Sequence, residues 1–174
     1  IRASTPMRGE AVRFVDKLPG NYLLAPLIAK ALPHARILHL VRDPMDSCFS
    51  SYKQLFADAY LHSYDQGEMA RHFARYHQLM AEWHRIMPGR ILDVAYEDLV
   101  QDVESNGKRV IDFLGLEWQP ACADFHKQAA PVATASATQV REKAHSRSVG
   151  RWRQYEAELV PMRKELIRAG VIAK

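Results

Sequence analysis

The sequence predicts a three-layer α/β domain, and three observations carry that expectation. Three short runs rich in Val, Ile and Leu read as strands: Val12 to Val15, Ile37 to Val41 and Ile91 to Ala95. Longer stretches with helical spacing lie between and after them, the pattern of parallel strands joined by helices. The run Arg36-Ile37-Leu38-His39-Leu40-Val41 is apolar on both alternating faces, as a central strand covered by helices on both sides would be. The 174 residues, 48% hydrophobic and 25% charged, suffice for one packed core, so a single domain over 1–174 is expected.

In chain order, the first helix is expected over Asn21 to Leu32, where Leu23, Leu24, Leu27, Ile28 and Ala31 form one stripe and Asn21 can cap. Further helices are expected at Pro44 to Phe56, Glu68 to Met87, Val103 to Leu114, Pro120 to Gln128 and Glu156 to Ala169. Between the last two lies Ala129 to Arg153, a polar loop with Arg141, Lys143, His145, Arg147, Arg151 and Arg153. A loop of that length is functional or disordered.

A net charge of +4 and a pI near 9.1 favour an anionic ligand. The positive charges are scattered, and no basic tract interleaved with aromatics points to nucleic acid. No run approaches the roughly 20 apolar residues of a membrane span, and the first residues lack a charged-then-apolar leader. A soluble, cytoplasmic protein is expected. Cys48 and Cys122 lack the close Cys/His spacing of a metal site and read as buried free thiols in a reducing compartment; no metal is expected.

The most informative segment is Leu40-Val41-Arg42-Asp43-Pro44-Met45-Asp46-Ser47-Cys48-Phe49-Ser50-Ser51-Tyr52. A strand ends at Arg42, Asp43 can cap, and Pro44 suits the first helical position. Ligands of open α/β sheets bind beyond the carboxyl ends of strands, where Arg42 emerges. Ser50, two turns on, can grip only an anion lying beside the helix. Two readings stay open on these residues: a phosphate clamp made by Arg42 and Ser50, or an Arg42 paired with Asp46 or Asp43 and a Ser50 that merely packs.

This segment resembles the 3′-phosphate-binding segment of the sulfotransferase superfamily, in which an Arg ends a strand and a Ser follows eight residues on. The likeness is greatest to bacterial members of the tyrosylprotein and tetratricopeptide-associated type. The resemblance implies that Arg42 and Ser50 bind the 3′-phosphate of 3′-phosphoadenosine-5′-phosphosulfate (PAPS), the sulfuryl donor. It also implies a P-loop-like fold with a central parallel sheet flanked by helices.

Two further stretches fit. Asp16-Lys17-Leu18-Pro19 is similar to the family's Lys-x-Pro segment, and Lys17, at an expected strand end, is the candidate catalytic residue. A fixed ammonium there would stabilise charge developing on the leaving phosphate; the alternative is a surface pair with Asp16 or Glu10. A lysine of ordinary pKa, about 10, is a poor base at neutral pH, so the resemblance implies an upstream Glu as base. Tyr96 in Tyr96-Glu97-Asp98-Leu99 corresponds to the residue that contacts adenine, packing at the strand end being the alternative.

His145-Ser146-Arg147-Ser148-Val149-Gly150-Arg151-Trp152 resembles the family's Val-Gly-x-Trp loop over the nucleotide, which implies nucleotide contacts for Arg147 and Ser148. Gly150 permits a turn that a side chain would obstruct, and Trp152 anchors the loop by burial. The alternative is a solvated basic loop.

The family's opening strand, phosphate loop and helix are not found in Ile1 to Glu10, so the domain is expected to be incomplete at its N-terminus and inactive alone. His62, His72, His77 and His84 fall on or near one long helix without a metal motif. With Phe73, Tyr76 and Trp83, that helix is a candidate lining for an acceptor site or a homodimer. The acceptor is expected to carry a hydroxyl: a tyrosyl peptide, a carbohydrate or a small molecule. Two other functions compete, a P-loop-like phosphotransferase requiring Mg²⁺ and a non-catalytic nucleotide-binding or scaffold domain.

Overall fold

A computed structural model of the chain describes residues 13–57, 59–127 and 142–174. Two strands, β1 (Ile37–Val41) and β2 (Ile91–Ala95), pair in parallel, in register from Ile37 opposite Ile91 to Val41 opposite Ala95. Two of the three expected strands thus form with their expected bounds. The register sets the site, because the residues that follow, Arg42 and Tyr96, leave the sheet side by side.

Six α-helices are described: α1 (Ala25–Ala31), α2 (Pro44–Tyr52), α3 (Gln66–Ile86), α4 (Tyr96–Gln101), α5 (Val103–Phe113) and α6 (Val160–Arg168). Side-chain carboxylates cap three of them. Asp43 accepts from the Asp46 amide at 2.8 Å, Asp65 from the Glu68 amide at 2.8 Å, and Asp102 from the Ser105 amide at 2.9 Å. Pro44 occupies the first turn of α2, as its fixed φ favours. The far end of α1 is held by Arg90, whose guanidinium donates to the Ala29 and Leu32 carbonyls at 3.4 Å and to Pro33. That contact satisfies carbonyls the helix leaves unpaired.

The core lies where α2, α3 and α6 meet. Met45, Cys48, Phe49, Met69, Ala70, Leu159, Met162 and Leu166 are buried there together with Trp152. Burial pushes the Cys48 thiol up to about 12, so it behaves as a small apolar group rather than a nucleophile. Helix α3 covers one face of the sheet. On the other face α5 packs against β2, while Leu38 and Leu40 of β1 stay 44% and 58% exposed.

Several expectations are corrected. Arg13, Phe14 and Val15 form no strand, and Val15 is 92% exposed; a strand requires a neighbour for its ladder, and none lies beside these residues among those described. Val12 lies outside the described residues. Likewise β1 pairs on one side only among the described residues, so its central position is not seen.

Asn21 caps no helix. It sits inside a 3-10 turn, Pro19–Leu24, that precedes α1, and its side-chain Nδ2 donates to the Asp16 carboxylate at 3.5 Å. The expected helix from Pro120 is two short 3-10 turns, Pro120–Cys122 and Phe125–Lys127, and Cys122 is exposed rather than buried. The aromatic residues of α3 face inward: Phe73 packs on the core, Tyr76 meets His39, and the Trp83 indole donates to the Tyr22 carbonyl at 2.7 Å. Each of these rings is half-buried and makes a contact within the fold.

Candidate functional site

The parallel register delivers Arg42 and Tyr96 to the same sheet edge, and they touch: the Arg42 guanidinium lies 5.0 Å from the centroid of the Tyr96 ring. Glu97 reinforces the junction by accepting the Asp43 amide at 2.9 Å, which ties the start of α2 to the start of α4. One arm of Arg42 donates to the Ser148 carbonyl, 106 residues away. The Nε hydrogen is buried and has no partner among the described residues. One nitrogen of the guanidinium is therefore fixed by protein, while the Nε donor has no protein partner among the described residues.

Asp46 holds the loop that brings Ser148 there. Its carboxylate is fully buried, 4.0 Å from Arg42, and accepts two backbone hydrogens, from Gly150 at 2.6 Å and from Trp152 at 3.1 Å. Gly150 adopts φ +67°, a left-handed conformation that glycine enters freely, and this aims its amide at Asp46. Trp152 is buried, 8% exposed, and packs into the α2–α3–α6 core. The expected turn at Gly150 and anchor at Trp152 are both present. The Arg42–Asp46 pairing weighed from the sequence is present too, yet Asp46 serves chiefly as the acceptor that docks the loop.

The sequence reading missed two cations at this place. Partial burial lowers the Lys53 ammonium pKa from its ordinary value, and the positive charges of Arg151 and Arg42 lower it further, against the opposing effect of Asp46. Arg42, Lys53 and Arg151 thus share one region. Ser50 lies on α2 one turn after Asp46 and one turn before Lys53, half-buried on that helix face. The signal was available in the spacing Asp46, Ser50, Lys53, which is one stripe of a helix.

The other candidates fall differently. Arg147 is exposed and pairs with Glu142 rather than joining Arg42. Ser148 takes part through its backbone carbonyl, not its hydroxyl. Lys17 is exposed in the irregular stretch before Pro19, and no ion pair or hydrogen bond joins it to the Arg42 cluster among the described residues. Of the basic loop, residues 129–141 lie outside those described.

Beside the cluster opens an apolar cleft of about 590 Å³, lined by Leu38 and Leu40 of β1, Tyr96, Val103, Trp118 and Phe125 among others. Tyr96 serves both features, carrying Arg42 and lining the cleft. No described helix is long and apolar enough to cross a membrane.

Residues 2–120 match the sulfotransferase family. A protein of Aquifex aeolicus (strain VF5), described as uncharacterized, is 33% identical over 156 residues, covering 88% of this chain and 20% of that protein. The chain therefore spans about a fifth of the length of that relative. The match takes in β1, β2 and the Arg42–Tyr96 junction at their carboxyl ends, and the chain belongs to the sulfotransferase family.

Proposed function

We propose that the chain supplies the nucleotide end of a cytoplasmic sulfotransferase that moves a sulfuryl group from PAPS to a hydroxyl acceptor. The described residues are then part of a three-layer P-loop-like fold. One observation carries the reading: the unpartnered Nε of Arg42 where two parallel strands end, in a region whose positive charge also includes Lys53 and Arg151. A terminal phosphate meets the need of that group, since it offers several oxygens to a planar fork and to nearby cations.

In this reading Arg42, Lys53 and Arg151 hold the 3′-phosphate, with the Ser50 hydroxyl as a neutral donor beside them. The Tyr96 ring stacks Arg42 and presents an aromatic edge to adenine at the mouth of the apolar cleft. Ser148 orients Arg42 through its carbonyl. Arg147 joins the nucleotide by exchanging Glu142, an exposed partner whose loss costs little. The bound donor supplies the sulfuryl group. Lys17 contributes a positive charge near the bond that breaks, which is greatest in value as the leaving phosphate gains charge. The acceptor is a hydroxyl carrier, whether a tyrosyl peptide, a carbohydrate or a small molecule.

The test is sulfuryl transfer from labelled PAPS by the longest natural form of the protein, against a panel of phenolic, sugar and small hydroxyl acceptors. Transfer is expected, and Lys17→Ala should lower kcat by about 10²–10³-fold, as for loss of one charge-stabilising group, with nucleotide affinity nearly unchanged. Absence of transfer to every acceptor, or a Lys17→Ala enzyme as fast as wild type, would contradict this assignment.

A further inference from the structure

Away from the nucleotide cluster, three side chains that the sequence keeps far apart converge between the sheet and α3. His39 and Asp93 are directly opposite in the β1–β2 register. His84, near the end of α3, reaches over the same carboxylate. The Asp93 Oδ1 oxygen lies 2.7 Å from His39 Nδ1 and 2.9 Å from His84 Nε2, and the three atoms fall within 4.8 Å of one another. None of them belongs to the cluster around Arg42.

We propose that His39, His84 and Asp93 form a site for a divalent transition metal of the zinc type. Two imidazoles and one carboxylate are the donor set that Zn²⁺ and Co²⁺ accept, at about 2.0–2.2 Å from each atom. Ligand atoms of a tetrahedral centre with such bonds stand roughly 3.3 Å apart. To reach that spacing the distances of 2.7 and 2.9 Å would open by about half an ångström, and the two imidazole nitrogens, which lie within 4.8 Å of each other, would draw together.

Second-sphere chemistry agrees. A ligating histidine generally donates its other ring N–H to an oxygen, and His39 Nε2 faces the Tyr76 hydroxyl. Without a metal, Nδ1 donates to the Asp93 carboxylate; on metal binding the ring hydrogen would reside on Nε2, toward the Tyr76 hydroxyl, and would free the Nδ1 lone pair for the ion. Access is open: His84 and Asp93 are 38% and 51% exposed, which leaves room for water to complete the coordination.

The position gives the metal a consequence. His39 and Asp93 each precede a nucleotide-site residue by three positions, Arg42 and Tyr96 respectively. A metal joining both strands to α3 would brace the two strand ends that hold Arg42 against Tyr96, and would raise thermal stability.

The chain, first stripped with a chelator, should be titrated with Zn²⁺ by calorimetry and with Co²⁺ by visible absorption. One saturable equivalent is expected, with a rise in Tm. His84→Gln and Asp93→Asn, each checked for folding by circular dichroism, should weaken binding at least about tenfold. His72→Gln should bind as wild type does, which excludes the stacked His62–His72 pair, whose ring centroids are 3.6 Å apart. Wild-type binding no tighter than that of His84→Gln, or a loss that follows His72→Gln instead, would overturn the proposal.

Discussion

Asp46→Ala should destabilise the folded chain by about 3–5 kcal/mol, the effect of breaking a buried charged pair by removing one partner. The carboxylate accepts the Gly150 and Trp152 amides and lies beside Arg42. Alanine would strand two backbone donors and a guanidinium at one place. Urea denaturation measures the change. Asp46→Asn separates charge from shape, because its amide oxygen can keep one of the two backbone bonds while its NH₂ opposes the other. It should fall between wild type and alanine in stability and should loosen the 147–153 loop, read as faster protease cleavage there. A stability equal to wild type in both variants would mean that the loop is held by Trp152 burial alone.

Arg42→Ala should weaken binding of adenosine 3′,5′-bisphosphate by about 1.5–3 kcal/mol, the range for hydrogen bonds to a charged group. That is a loss of roughly 10- to 150-fold in affinity. Arg42→Lys should recover little of it, since an ammonium cannot bond Ser148 and a phosphate at once in the planar geometry of a guanidinium. Calorimetry on both variants tests this, with circular dichroism as a check on folding. Affinity unchanged in Arg42→Ala would leave Arg42 with only its contacts to Ser148, Asp46 and Tyr96.

These two residues also show what a sequence can reveal. Arg42 was legible because its strand, cap and Pro44 are local features, each set by neighbours within a few residues. Helices α2, α3 and α5 and both paired strands follow from periodicity in the same way. The role of Asp46 was not legible, because its partners Gly150 and Trp152 lie 104 and 106 residues away. Nothing local distinguishes it from an ordinary acidic residue in a first helical turn.

The strand expected at Val12 to Val15 failed for a related reason. An apolar run makes a strand only where another strand completes its hydrogen bonds. Cys122 and the expected helix from Pro120 failed because three-residue turns carry no periodicity to read. The convergence of His39, His84 and Asp93 depends on strand register and helix docking together, so spacing along the chain could not disclose it.

The central claim is that the Arg42 cluster recognises a 3′-phosphate, and nucleotide selectivity tests it most directly. Binding of adenosine 3′,5′-bisphosphate and of adenosine 5′-monophosphate should be compared by calorimetry, each with Mg²⁺ and with chelator. The account predicts that the bisphosphate binds at least about tenfold tighter, a difference of roughly 1.4 kcal/mol, and that Mg²⁺ changes neither affinity. Equal binding of the two nucleotides, or binding that requires Mg²⁺, would contradict it.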